Sequence, residues 1–441
     1  MKKFFAFILT ACMVMPLAAC AGNSAASTAA VTTTAASAAA TTADAAGTTA
    51  LTAASDATIV YWSMWESTEP QGKAIAEAVA AFTAETGINV DLQFKGRTGI
   101  REGLIPALDA GTTIDLFDED MDRVNIAFAD YTMDLEALAA KYDYEATANS
   151  GLIAACRDVA DGTLKSIPYQ SNVIAFFYNK DIFAEAGVTL APTTWAELLD
   201  ACAKIKAAGY TPITCDDAYI TNMIGYHLAR LVGEKNVVDI VTNNKWDDPA
   251  VAQFAKDYAE LASQGYFSAN ISGNVWPAGQ NTELALGEAA IYLNGSWLPN
   301  EVKEITGPDF KWGCFSYPAL DGGVTGTEAA IYGAQVLAIN KDSKVSDEAF
   351  QLICFLTQGK YDQLMSDESI GIPADTRNTQ WPAMLADVQP VMASLSTRYG
   401  GAAGVESNSD MTAVIKANVL NLCGGNITAD EFVANMKAGK S

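Results

Sequence analysis

Histidine is almost missing from this chain: its 441 residues contain one, His227. A Ser-His-Asp or Cys-His triad, or a metal site of several imidazoles, would have to be assembled around that residue. It stands in Met223-Ile224-Gly225-Tyr226-His227-Leu228-Ala229, a mostly apolar stretch at helical spacing that predicts a structural role. Basic residues are also scarce, 27 Lys and Arg against 52 Asp and Glu, for a formal charge of −25. That balance argues against nucleic acid and other polyanions as partners. No GxxxxGK[ST] run occurs, so no P-loop for ATP is encoded. Beyond residue 20 no apolar stretch is long enough to span a bilayer, and no internal repeat is seen. The eight cysteines include no paired CxxC, so none of the usual metal spacings is present.

What is present begins at the N-terminus. Lys2 and Lys3 precede an apolar run from Phe4 to Met15, followed by Leu17-Ala18-Ala19-Cys20. A charged start, a short apolar segment and small residues before a cut are the layout of an export signal. The last four residues resemble the lipobox of bacterial lipoproteins. That resemblance implies removal of residues 1–19 and acylation of Cys20; the alternative is an ordinary secretory signal cut near Ala21. Either way the mature chain is expected outside the cytoplasm. Loss of Lys2 and Lys3 would carry its charge to −27. Residues 21–57 hold 17 alanines and 9 threonines in 37 positions, with no aromatic residue. Such composition buries too little apolar surface to offset the entropy of ordering. Residues 20–57 therefore read as a lipidated cysteine and a flexible tether, reaching roughly 30–35 Å.

About 384 residues remain from Thr58 to Ser441, ample for two domains. Thr58-Ile59-Val60-Tyr61-Trp62 reads as a strand. A helix carrying Ile75, Val79 and Phe82 follows, closed by Gly87, and Ile88, Val90, Leu92 and Phe94 alternate with polar residues as a second strand. Strand, helix and strand within 40 residues predict a parallel βαβ unit. A further helix over 99–110 and a strand at Ile114-Asp115-Leu116-Phe117 extend it. Val173–Tyr178 is apolar throughout and predicts a strand buried on both faces. Thr194 and Glu197 have capping-box spacing at the head of a helix that ends near Gly209; more helices are expected over 249–264 and 346–358. Cys202 and Cys354 stand in apolar helical patterns and read as buried thiols, although a Cys202–Cys215 bridge stays open.

Four segments, in order, resemble the family 1 extracellular solute-binding proteins of ABC importers. They are Leu108-Asp109-Ala110-Gly111 through Asp115; Pro168 to Asn172 with Tyr178-Asn179-Lys180-Asp181 and Pro192-Thr193-Thr194-Trp195; Gly287-Glu288-Ala289-Ala290 to Gly295-Ser296-Trp297; and Val336–Ile339 through Gly371-Ile372-Pro373. Ile114 departs from the usual proline in the first. The resemblance implies an α/β fold of two lobes, each a mixed sheet flanked by helices, in the type II periplasmic-binding-protein topology. Carried onto this sequence, the chain crosses between lobes near 170–174, 333–337 and 371–375. The lobes are then 58–171 with 335–371, and 172–334 with 372–441.

A neutral sugar offers hydroxyls at its edges and C–H groups on its faces, so its site wants aromatic planes beside carboxylates and amides. Trp62, Trp65, Trp276 and Trp297 lie in or beside turn-like sequence and are candidates for the planes. Trp195, near a helix start, reads as core. Asp118, Glu119 and Asp120 follow a predicted strand, where ligands of open α/β sheets bind, though a helix-start charge cluster is an equally simple account. Glu66 lies in the first loop. Gln170 and Asn172 stand at a predicted crossing. Tyr332, Arg97 and Arg377 are lesser candidates.

These features predict a non-enzymatic, monomeric binding lipoprotein that captures a carbohydrate by hinge closure and hands it to membrane permease subunits, without cofactor or metal. A polyamine or other cationic solute is the alternative ligand. A surface glycosidase using Asp118 with Asp120 or Glu66, or a lipoprotein without cleft ligand, are the other readings.

Overall fold

The structure is a computed structural model that describes residues 56–440. The predicted signal, Cys20 and the tether up to residue 55 lie outside the described residues.

Nine strands are formed: β1 Thr58–Ser63, β2 Asn89–Phe94, β3 Leu116–Asp120, β4 Ile167–Asn179, β5 Thr211–Thr214, β6 Ala289–Gly295, β7 Trp312–Phe315, β8 Ala329–Ile339 and β9 Thr397–Tyr399. They run in the order β2-β1-β3-β8-β4-β6-β5, with β7 against β4 and β9 against β8. The predicted βαβ unit is there. β1 pairs in parallel with β2, Tyr61 opposite Leu92, and the helix Pro70–Thr86 crosses between them. Proline at its first turn removes an amide that would have no partner, and Gly87 closes it at φ 77°, where a side chain would be strained.

β3 differs from its predicted position. It begins at Leu116 and runs to Asp120, so the three acids lie within the strand rather than after it. The reason is tertiary: β8 runs antiparallel beside it, with Asp118, Glu119 and Asp120 opposite Leu337, Val336 and Gln335. Only a partner more than two hundred residues away extends the ladder to those positions.

β4 and β8 are the long strands. Ile167–Tyr169 of β4 pairs with Leu337–Gln335 of β8; the register then shifts around Gln170, and Ser171–Val173 pairs with Ala334–Tyr332. From Ile174 onward β4 leaves β8 for β6, and from Phe176 it also pairs with β7. Gln170 is the extra residue of the bulge, at φ +44°, in the left-handed region that a non-glycine residue occupies at a cost of about 1–3 kcal/mol.

Two hydrophobic cores lie on either side of this bulge. One gathers Ile59, Phe82, Leu104, Phe117, Ile167 and Phe350. The other gathers Phe176, Ile224, Trp246, Tyr258, Leu293 and Phe432. β4 gives Tyr169 to the first core and Val173 to the second, and the half-buried Tyr332 packs against both. The molecule is thus a two-lobed mixed α/β protein. A third segment passes near the same place: Ser171 bridges Ile372, and Gly371 lies beside the Gln170 side chain.

The capping box of Thr194 and Glu197 is formed, opening the helix Trp195–Ala207. His227 is fully buried in the helix Ile220–Val232. Its ring nitrogens face Tyr317 Oη at 3.0 Å and Asp257 Oδ2 at 2.9 Å, and burial pushes its pKa down despite the Asp257 carboxylate. It is a packing residue, edge-on to Trp195. All six described cysteines are buried and free, Cys202 and Cys215 included. Among the described residues no helix is long and apolar enough to cross a membrane.

Candidate functional site

Where β4, β8 and the 370–371 segment cross, a cleft of about 710 Å³ opens, a size suited to a small-molecule ligand. Its floor is Gln170, Ser171 and Asn172 from β4 with Gln335 from β8. Met64, Trp65, Arg97, Arg101, Asp120 and Arg123 form one wall. Tyr219, Trp276, Trp297, Asn300 and Glu301 form the other.

The first wall is held from beneath by Asp118. Its fully buried carboxylate accepts the Met64 amide at 2.6 Å, Tyr61 Oη at 2.9 Å, Ser63 Oγ at 3.2 Å and Tyr169 Oη at 2.7 Å. Burial raises its pKa to about 6, against the opposing effect of these four hydrogen bonds. Tyr169 Oη in turn accepts the Trp65 indole N–H at 2.7 Å, and the Arg97 guanidinium lies 4.6 Å over the Trp65 ring. Arg97 is itself paired with Glu69 at 2.9 Å. Glu119, also fully buried, grips Arg101 through two bonds of 2.9 and 3.1 Å, aiming that guanidinium at the cleft. Asp120 Oδ1 accepts the amides of Asp122 at 3.0 Å and Arg123 at 3.3 Å. Burial and the nearby Asp122 raise its pKa.

On the opposite wall β6 ends at Gly295, and Trp297 turns back to donate its indole N–H to Tyr219 Oη at 3.0 Å. The helix Leu298–Thr306 starts there, so Asn300 and Glu301 emerge from its first turn, three and four positions beyond Trp297. Burial raises the Glu301 carboxyl, while hydrogen bonds with Asn281 and Trp276 pull the other way. Trp276 is the exposed plane, 42 % accessible, its backbone N–H bonded to Asp217 Oδ1 at 2.9 Å.

Among the described residues, four cleft-lining side-chain atoms are buried without a hydrogen-bond partner: Gln170 Oε1, Ser171 Oγ, Asn300 Oδ1 and Gln335 Oε1. Three are amide oxygens and the fourth is a hydroxyl, so the set is dominated by acceptors awaiting donors.

Of the residues singled out from sequence, Trp65, Asp120, Gln170, Asn172, Trp276, Trp297 and Arg97 line the cleft. Trp62, Glu66, Asp118, Glu119 and Tyr332 are not among its lining residues. Trp62 faces away because strand residues alternate: Tyr61 and Ser63 point to Asp118, while the Trp62 ring lies under Lys95 Nζ at 3.9 Å. Glu66 is exposed, its amide bonded to Glu69. Tyr332 accepts Arg398 Nε at its backbone carbonyl, 2.8 Å away. Arg377 is turned to Asp375. Sequence reasoning did not single out Arg101, Arg123, Ser171, Tyr219, Asn300, Glu301 or Gln335. Only Asn300 and Glu301 carried a local signal, their helical spacing from Trp297.

Comparison with known proteins places this architecture. The model of the bacterial extracellular solute-binding protein family matches residues 65–362, and the chain belongs to that family. A binding protein of Brucella abortus is 25% identical over 319 residues, which is 70% of this chain and 74% of the relative. Among solved structures, a secreted solute-binding lipoprotein from Streptomyces coelicolor superposes with a TM-score of 0.73 at 16% identity, covering 86% of this chain and 98% of that one. The sugar-binding protein MalE from Xanthomonas citri gives 0.69 at 22% identity, covering 87% and 96%. A chitin oligosaccharide binding protein gives 0.65 at 21%, covering 87% and 98%. At these identities the structural likeness speaks for the two-lobed fold.

Proposed function

We propose that this chain captures a carbohydrate in the cleft by hinge closure and delivers it unchanged to the transmembrane subunits of an ABC importer. The observation that carries this reading is the set of four buried acceptor-rich atoms on the floor and one wall of the cleft. Leaving a buried polar atom unpaired costs about 1–3 kcal/mol, so four together cost several. Sugar hydroxyls donate to such atoms, while Trp276 and Trp297 offer faces for sugar rings.

The charges favour a neutral ligand over a polyamine. Three of the chain's seven arginines line this cleft, Arg97, Arg101 and Arg123, beside three acids, Glu69, Asp120 and Glu301, and Arg97 and Arg101 are paired with Glu69 and Glu119. Asp118 and Glu119, which a cation would seek, are buried and engaged. A glycosidase reading loses its acid pair for the same reason, because Asp118 already accepts four donors below the cleft floor. The sugar-binding structural relatives point the same way.

In this reading the lobes are 58–171 with 335–371 and 172–334 with 372–441, hinged at the Gln170 bulge, at β8 and at 371–375. Cys20 carries the lipid that holds a monomeric protein at the outer face of the cell membrane. Thermal unfolding with neutral oligosaccharides and with spermidine tests the ligand class, since a saturating ligand at a hundred times Kd stabilises by about 2.7 kcal/mol. A rise with a glycan is expected; a rise with spermidine alone would overturn the reading.

A further inference from the structure

Asp118 lies behind the cleft, yet its carboxylate gathers the residues that carry Met64 and Trp65 on one wall of it. Its carboxylate joins three residues of the chain leaving β1, Tyr61, Ser63 and Met64, to Tyr169 on β4. Through Ser63 Oγ, which accepts the Trp65 backbone N–H at 3.4 Å, and Tyr169 Oη, which accepts its indole N–H, the cluster holds a residue of the cleft wall, and Tyr169 is the one that bonds the ring. It is also the residue just before the bulge at Gln170. Trp65 is only 5 % exposed, so its plane is set by this bond and by Arg97 rather than by solvent. Tyr169 Oη accepts from Trp65 and donates to Asp118, which leaves the phenol one orientation that satisfies both.

We propose that Asp118 is a positioning residue for ligand binding: through Tyr169 it fixes the Trp65 plane on the cleft wall and couples that plane to the hinge bulge at Gln170. The proposal rests on the cleft being the ligand site. A carboxylate bonded to four donors is held rigidly, and rigid support of this kind keeps a binding plane within the few tenths of an ångström that recognition needs. Protonation of Asp118 removes acceptor capacity for one of its donors and loosens the relay. The groups facing it are Tyr61 and Ser63 from β1, the Met64 amide and Tyr169 from β4. Its strand neighbours are engaged elsewhere, Glu119 with Arg101 and Asp120 with the amides of Asp122 and Arg123. Arg97, with its partner Glu69, is the charged group over the Trp65 ring itself.

The test uses the protein labelled with 5-fluorotryptophan, the Trp65 resonance being assigned by Trp65→Phe. In the wild type that resonance should move with pH around a midpoint near 6, the value to which burial raises Asp118. Asp118→Asn should abolish the movement, and Tyr169→Phe should shift the resonance at every pH and raise its solvent isotope effect. Titration against maltotriose and chitotriose should show affinity falling about tenfold in Tyr169→Phe, as expected for one buried hydrogen bond that sets a contact. A Trp65 resonance that titrates identically in all three proteins overturns the proposal. Failure of the wild type to bind either sugar counts against the carbohydrate reading instead, and the ligand-free spectra still decide the role of Asp118. Should Asp118→Asn not fold, Tyr169→Phe alone carries the test.

Discussion

Trp297 folds its indole back over Gly295, so near that a Cβ at position 295 would overlap the six-membered ring. The glycine of the Gly-Ser-Trp segment is therefore needed for space, and the aromatic plane depends on a residue with no side chain. Gly295→Ala should push the ring off Tyr219 and lower ligand affinity at least tenfold. The same overpacking should cost about 1–3 kcal/mol of stability. Calorimetric titration with the best-stabilising glycan, beside urea unfolding, checks both; unchanged affinity would show that Trp297 does not contact ligand.

Gln170 holds a left-handed conformation and an unpartnered amide oxygen at the same point. Gln170→Gly removes the strain and the acceptor together. Stability should hold or rise by up to about 1 kcal/mol, while ligand affinity falls. That opposite movement is the signature of a strained binding residue, and a variant losing both would mark the bulge as purely structural.

Arg101 is 41 % exposed at its side chain, but its partner Glu119 is fully buried. Removing the guanidinium strands a buried carboxylate, so Arg101→Ala should cost roughly 2–4 kcal/mol. Adding Glu119→Gln should restore part of the loss, because the stranded charge is gone. A double mutant cycle in urea measures the coupling, and additive losses would refute it.

Asp362 accepts the amides of Ala374 and Asp375 and the Asn378 side chain, pinning the segment 374–378. Burial raises its pKa to about 7, against those hydrogen bonds. The folded state thus holds this proton more tightly than the unfolded chain. Its contribution to stability is complete below the ordinary carboxyl value and fades as pH climbs toward 7. Asp362→Asn should lower stability by about 1–3 kcal/mol at low pH, since its amide group faces donors, and the gap to wild type should narrow between pH 4 and 7. Urea midpoints across that range test the sign; a widening gap would reverse it.

Much of this molecule was legible where the physics is local. Gly87 closes a helix because only glycine turns left there without cost, and Thr194 with Glu197 caps one because two side chains reach back over a single turn. Apolar Val173–Tyr178 announced a strand covered on both faces, and the two-lobed class followed from four short segments. The acids of β3 were misplaced because their strand is completed by β8. Trp62 and Trp65 looked alike in sequence, and only pairing of β1 with its neighbours decided which one turns from the cleft.

By itself, then, the amino-acid order determined the class of fold and the near exclusion of histidine chemistry. Tertiary structure alone decided which polar groups face the cleft. Gln335, Asn300 and Arg101 line one cleft although Arg101 stands about two hundred residues before the other two, and burial, not composition, separates an acid that lines a cleft from one that supports it. Hydrogen-bond partners are chosen by distance in space, and no spacing along the chain encodes that choice.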